Sequence, residues 1–332
     1  MIRTIEQRTF ETLVKDFGST FNQPGFSLEE RTRAAKAGDN EAADMVAAAI
    51  VRIAFITPTV AVALMDDVTR GWFDLAPEAL ATPQQQRANL AELSEPGALG
   101  DAFWNDFWGF VCDPNPSTGG DEITARVASL AANRAAGFNE HAERAVKTHP
   151  GAIDAAHRDM PPRLTLETLG RQPEGSLGHD FYRLIVDNNF NLEVLDREAI
   201  GLANLSPALS YLNTRILQMH DVWHLVGGYR TTVLQEIGIS AFQLAQFGHD
   251  YSAMLIATAV AASRFKAPEG FNLIMQLIAE GWLHGRQMPA FMAIDWESEW
   301  HLPITEIRAR HGISAFESIF PADLIEQVRD AA

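Results

Sequence analysis

A chain of 332 residues with 47% hydrophobic content is long enough to bury one large core or two ordinary ones. Its formal net charge of -17 repels phosphate backbones and sets nucleic acid aside as a partner. The single cysteine, Cys112, excludes an internal disulfide and a thiolate zinc site, so a reducing cytoplasm is expected and any metal must be held by nitrogen and oxygen.

The N-terminus, MIRTIEQRTFETLVKDFG, interleaves acids with apolar residues, lacks the apolar core of a signal peptide and reads as mature protein. Helices are predicted over Leu28 to Ala37 and Asn40 to Met65. The second holds the longest apolar run, from Ala42 to Met65. Asp44, Arg52 and Pro58 interrupt it, so a buried, proline-kinked helix is expected rather than a membrane span. The Gly/Pro/Asp-rich stretch from Cys112 to Glu122 predicts a loop, and Ile123 to Lys147 a helix. The polar stretch from His157 to Ser176 resembles a linker and places a boundary near residue 160, between a helical region 1–160 and a helical domain 161–332. Further helices are predicted over Ser176 to Asn188, Pro207 to Val226, Val233 to Phe265, Phe271 to His284 and Ala290 to Trp300. No segment alternates apolar and polar residues for long, so the class is all-α, a multi-helix bundle.

The chemistry concentrates in HDVWHLVGGYRTTVLQE, from His220 to Glu236. Ser206 and Pro207 are a start signal, a capping oxygen followed by a residue that needs no donor at the first helical position. His220 and His224, four apart, stack on one face of the resulting helix, and Asp221 lies three residues before His224. Gly227 and Gly228 end that helix. Thr231 or Thr232 then caps a second one, with Gln235 placed to complete a capping box on Thr232. A helix-turn-helix of this kind folds Glu236 back towards the histidines, so His220, Asp221, His224 and Glu236 form a candidate metal site. Spacing alone leaves three readings open: a divalent metal site, a hydrogen-bonded core histidine cluster, and catalysis without metal. Burying two imidazoles and two carboxylates unpaired is costly, which favours a metal. The donors suit zinc first, then iron, cobalt or manganese. A zincin would carry Glu where Asp221 stands, and the second Glu-x-x-His of a ferritin-like site is missing. The pairs His179-Asp180 and His249-Asp250 read as solvated or capping pairs.

These residues resemble a known family. HDVWH, eleven residues and Glu236 look like the HDxxH-x11-E motif of the coenzyme Q biosynthesis protein 4 family. TLETLGRQPEGSLGHDFYRLIVDNNF, from Thr165 to Phe190, resembles the family's PEGSLG-like segment. MAIDWESEWHLPITEIRARHGI, from Met292 to Ile313, resembles its C-terminal tryptophan segment and Arg-bearing helix. The likeness covers roughly residues 164–313 and does not extend to the N-terminal half. One departure is Arg230, which stands in the loop where relatives often carry proline.

The resemblance implies an α-helical fold, a metal on His220, Asp221, His224 and Glu236, and a role in ubiquinone biosynthesis. The implied activity is metal-dependent removal of the C1 carboxylate, with or without oxidation, from a polyprenylated 4-hydroxybenzoate, which makes the protein a carboxy-lyase or oxidative decarboxylase. The alternative is a non-catalytic, lipid-binding organiser of the other ubiquinone biosynthesis enzymes, holding a structural metal. Specific catalytic residues stay unassigned. A prenyl lipid asks for a greasy groove, for which Ser240 to Phe265 offers small and adaptable side chains, and Arg264 and Arg286 are candidate head-group anchors against a default of ordinary surface arginines. A substrate this insoluble implies a peripheral protein on the cytoplasmic face of the inner membrane, touching it through an apolar helix for which Ala42 to Met65 is the candidate. A homodimer is the prior for assembly.

Overall fold

The computed structural model describes residues 3–94, 97–113, 120–153, 157–193, 198 and 202–330, and among these no strand occurs. The chain forms two compact units, each discontinuous in sequence: residues 1–145 with 240–286, and residues 146–239 with 287–332.

The first unit contains α1 (Ile5–Phe21), α2 (Leu28–Lys36), α3 (Asn40–Phe55), α4 (Ala61–Phe73), α5 (Gln84–Ala88), α6 (Asp101–Val111), α7 (Gly120–Leu130) and nearly all of α8 (Phe138–Val146). Threonine, serine and aspartate cap the first three helices: Thr4, Ser27 and Asp39 each accept an amide N–H of the first turn. Helix α3 is the core element. Ala47, Ala48 and Ala49 are fully buried, and small side chains let α1, α2 and the later helix α13 (Asp250–Phe265) approach it closely. Phe10, Trp104, Trp108 and Phe265 pack edge to face or stacked beside it, with Phe10 and Phe265 centroids 5.0 Å apart. Helix α4 carries the charge of this core. Asp66, with no exposed surface, accepts from Trp282 Nε1 at 2.9 Å and Arg286 Nε at 3.1 Å on α14 (Phe271–Gln287), and from Thr82 Oγ1 at 2.8 Å. Asp67 pairs with Arg70 and Arg87.

The second unit contains α9 (Leu166–Gly170), α10 (Leu177–Asn188), α11 (Pro207–Gly227), the start of α12 (Val233–Phe247), α15 (Ile304–His311) and α16 (Leu324–Asp330). Helix α11 is its spine, buried on almost every side. Helix α10 begins against residues 300–302: the Leu177 amide donates to Leu302 O at 2.8 Å and the Gly178 amide to Trp300 O at 2.9 Å. A β-carbon at Gly178 would lie 3.0 Å from the Trp300 side chain, which is why the residue after Ser176-Leu177 is glycine.

The all-α class is observed, and several predicted helices divide where chain breakers act. Asn40 to Met65 is two helices, since Pro58 opens a 3-10 turn between α3 and α4. Val233 to Phe265 breaks at Gly248, whose φ of +66° ends α12 before α13. Ile123 to Lys147 breaks near Gly137 (φ +77°) into α7 and α8. Ala290 to Trp300 is a pair of 3-10 turns rather than a helix. Most of the predicted loop from Cys112 to Glu122 lies outside the described residues, and α7 begins within it at Gly120. The candidate membrane helix is corrected outright, because Ala42 to Met65 is buried almost throughout. No helix among the described residues is long and apolar enough to cross a membrane.

Candidate metal centre

Helix α11 brings the histidines together by its own pitch. Their rings meet edge to face with centroids 4.7 Å apart, and the two Nε2 atoms lie 3.1 Å from each other. The Asp221 carboxylate joins them, one donor atom from each of the three residues lying within 4.8 Å of the others. Gly228, at φ +82°, closes α11, and the short turn to Val233 starts α12 on a return path. One helical turn in, Glu236 faces the histidines, Oε1 at 3.2 Å from His224 Nε2 and Oε2 at 3.5 Å from His220 Nε2. His220, Asp221 and His224 thus share one cluster, and Glu236 reaches its two histidines.

The caps differ from expectation. Ser206 occupies the N-cap of α11 without a side-chain hydrogen bond, so Pro207 alone marks the start. Thr232 Oγ1 donates to Ala322 O at 2.6 Å. The Val233 amide donates to Glu326 Oε1 at 3.1 Å. These long-range partners, with Arg308 and Phe316, carry no local signal and are invisible in the sequence.

Polarity in the cluster follows from one backbone atom. His224 Nδ1 lies 3.3 Å from Tyr229 O. A carbonyl only accepts, so Nδ1 is the donor in this contact, which leaves Nε2 as the nitrogen turned to the cluster. Burial lowers the proton affinity of His220, but its hydrogen bond to Glu236 and the charges of Glu236 and Asp221 outweigh this and hold it above the usual imidazole value. Burial also favours the neutral form of Glu236, yet the adjacent His224 and His220 hold its carboxyl well below the usual carboxylate range. Asp221 behaves oppositely: burial raises it beyond what the two histidines recover. Exposure is graded, with His224 closed off at 1% of its side chain, His220 at 19% and Glu236 at 39%.

The donor set fits a divalent ion. Metal–nitrogen bonds of about 2.0–2.1 Å place tetrahedral donors roughly 3.3 Å apart and octahedral neighbours roughly 2.9 Å apart. The 3.1 and 3.2 Å separations fall between these values, and the 3.5 Å one lies just beyond them. Two Nε2 atoms aimed at each other in a partly buried site need a proton or a cation between them.

The other candidates are structural. Arg264 Nε lies 2.7 Å from Asp44 Oδ1, and Arg286 serves Asp66, so both proposed head-group anchors belong to ion pairs of the first unit. His249 is buried rather than solvated, its Nδ1 lying 2.8 Å from Ser252 Oγ, and Asp250 pairs with Arg134 at 3.1 Å. The stretch Ser240 to Phe265 is largely buried.

Fold and site together define an all-helical protein with a histidine–carboxylate cluster built on a helix-turn-helix. Residues 159–317 match the family of the coenzyme Q (ubiquinone) biosynthesis protein Coq4. The mitochondrial ubiquinone biosynthesis protein COQ4 homolog of Rattus norvegicus is 29% identical over 158 residues, covering 46% of this chain and 58% of that protein. Its Homo sapiens counterpart is 27% identical over 152 residues, covering 46% and 56%. The match thus spans less than two thirds of these relatives. A crystal structure from Nostoc punctiforme, titled as a ubiquinone biosynthesis protein, is 27% identical with a TM-score of 0.47, covering 65% of this chain and 98% of that one.

Proposed function

We propose that this protein acts in ubiquinone biosynthesis as a metal-dependent decarboxylase, removing the C1 carboxylate of a polyprenylated 4-hydroxybenzoate or, with a redox-active ion and dioxygen as the oxidant and oxygen source, carrying out the oxidative counterpart that leaves a hydroxyl on C1. The observation that carries this reading is the convergence of His220 Nε2, His224 Nε2 and the Glu236 carboxylate within 3.1–3.5 Å, closed on the His224 side and open to solvent at Glu236. An open edge leaves room for a substrate, as a catalytic centre requires and a structural one does not.

His220, Asp221, His224 and Glu236 would hold the ion. When bound, a divalent ion supplies positive charge to grip the substrate's carboxylate or phenolate. Zinc suits these donors first, while iron, cobalt or manganese satisfy the same set. Losing CO2 leaves the bonding electron pair on a ring carbon, which must take up a proton as the bond breaks. That proton comes from solvent reaching the open Glu236 edge of the site, since the imidazoles and carboxylates there are engaged in holding the ion. Tyr229 O, holding the Nδ1 hydrogen of His224, keeps its Nε2 free for binding.

The lipid substrate places the protein on the inner membrane surface from the cytoplasmic side, beside the other enzymes of the pathway. A homodimer remains the assembly to test by light scattering.

Elemental analysis of the purified protein, His220→Ala and Glu236→Ala comes first, followed by incubation with a polyprenyl hydroxybenzoate while CO2 is collected. The proposal expects about one metal equivalent and CO2 release, both lost in the variants. Metal without CO2 release would assign the organiser role, with lipid binding as its measurable activity. A protein that takes up no metal on reconstitution would overturn the metal centre.

A further inference from the structure

The turn that carries the cluster is held from outside by the C-terminal segment 308–326. At the end of α11, Arg308 donates from Nε to Val226 O at 2.9 Å and from Nη2 to Leu225 O at 3.0 Å, filling carbonyls that a helix leaves without partners. The Phe316 amide donates to Gly227 O at 2.7 Å, and its ring stacks on Tyr229 at 4.3 Å between centroids and 18° between planes. Tyr229 is the residue whose carbonyl orients His224. On the far side of the turn, Thr232 donates to Ala322 O and the first amide of α12 donates to Glu326 Oε1. The other Glu326 oxygen is buried with no hydrogen-bond partner among the described residues, so this carboxylate is turned inward onto the helix start.

We propose that Glu326 is a positioning residue for the metal centre: by capping α12 at Val233 it fixes the placement of Glu236 one turn later, and through it the metal affinity. The inference rests on the metal reading above. Helix starts fray unless their free amides are filled, and a negative charge there also opposes the helix dipole. Glu236 lies within that first turn, its own amide bonded to Thr232 O at 2.9 Å, so loss of the cap frees the ligand directly.

The test compares zinc affinity, by competition with a chelating dye, and the visible spectrum of the cobalt-loaded protein, for the unaltered chain, Glu326→Ala, Glu326→Asp and Glu326→Gln. Alanine removes the acceptor and aspartate withdraws it from Val233 while keeping the charge; each is expected to weaken zinc about tenfold and alter the cobalt bands, the usual scale for a residue supporting a metal ligand. Glutamine retains an acceptor oxygen and should restore affinity to within about threefold. A purely structural role would lower the metal-free thermal midpoint and leave the affinity of the folded protein unchanged. Unchanged affinity in the aspartate or alanine variant, or a glutamine variant as weak as alanine, overturns the inference alone. No metal bound by the unaltered chain overturns the metal reading on which it rests.

Discussion

Gly228 shows how one residue decides whether the cluster forms. Its φ of +82° lies where a β-carbon is disfavoured, and an added methyl would stand 2.9 Å from Ala315 Cβ and 3.1 Å from Phe316 N. Gly228→Ala is therefore expected to destabilise the fold by about 1–2 kcal/mol, the scale of left-handed strain, measured by urea denaturation of the metal-free protein. The double glycine and the histidine spacing were both legible locally, and so was the convergence of His220, His224 and Glu236. What stayed hidden is the support: Tyr229 O, Arg308 and Glu326 act across 5, 82 and 93 residues, and no periodicity or spacing encodes such pairs.

At the scale of elements, buried charges tie helices together. Asp66 on α4 accepts from Trp282 and Arg286 on α14, so removing it strands a cation and an indole N–H inside the first unit. Asp66→Ala should cost about 3–5 kcal/mol, seen as a lowered urea midpoint together with altered tryptophan emission. In the second unit, Arg215 on α11 holds both oxygens of Glu297, one at 2.6 Å. Burial raises the Glu297 carboxyl, but the hydrogen bonds and charge of Arg215 outweigh it and leave it below its usual value. A depressed folded value means stability that is complete above the unfolded carboxylate range, about pH 4.3, and lost as pH falls through the lower folded value. Glu297→Gln should accordingly be less stable than the unaltered protein at pH 7, with the gap closing under acid, in urea midpoints taken between pH 7 and 3. Helix ends were less legible than helix existence: Pro58 and Gly248 were visible, yet whether a breaker kinks or divides a helix depends on what packs at the break.

For the whole molecule, the metal reading makes stability depend on the ion. A ligand at a hundredfold excess over its dissociation constant stabilises the folded state by about 2.7 kcal/mol. Chelation should therefore lower the thermal midpoint of the reconstituted protein in a scanning calorimeter, zinc should restore it, and His220→Ala should respond to neither.

The amino-acid sequence by itself determined the helical class, the candidate residues and the family likeness, because helical periodicity, a histidine pair four apart and a glycine stop are all set within one or two turns of chain. Only the tertiary structure decided which carbonyl fixes His224, which carboxylate caps α12, that Arg264 and Arg286 serve ion pairs, and that Ala42 to Met65 is core. Apart from the Tyr229 carbonyl, five residues from His224, those outcomes depend on partners far away in the chain, and burial is a property of the packed chain rather than of any segment.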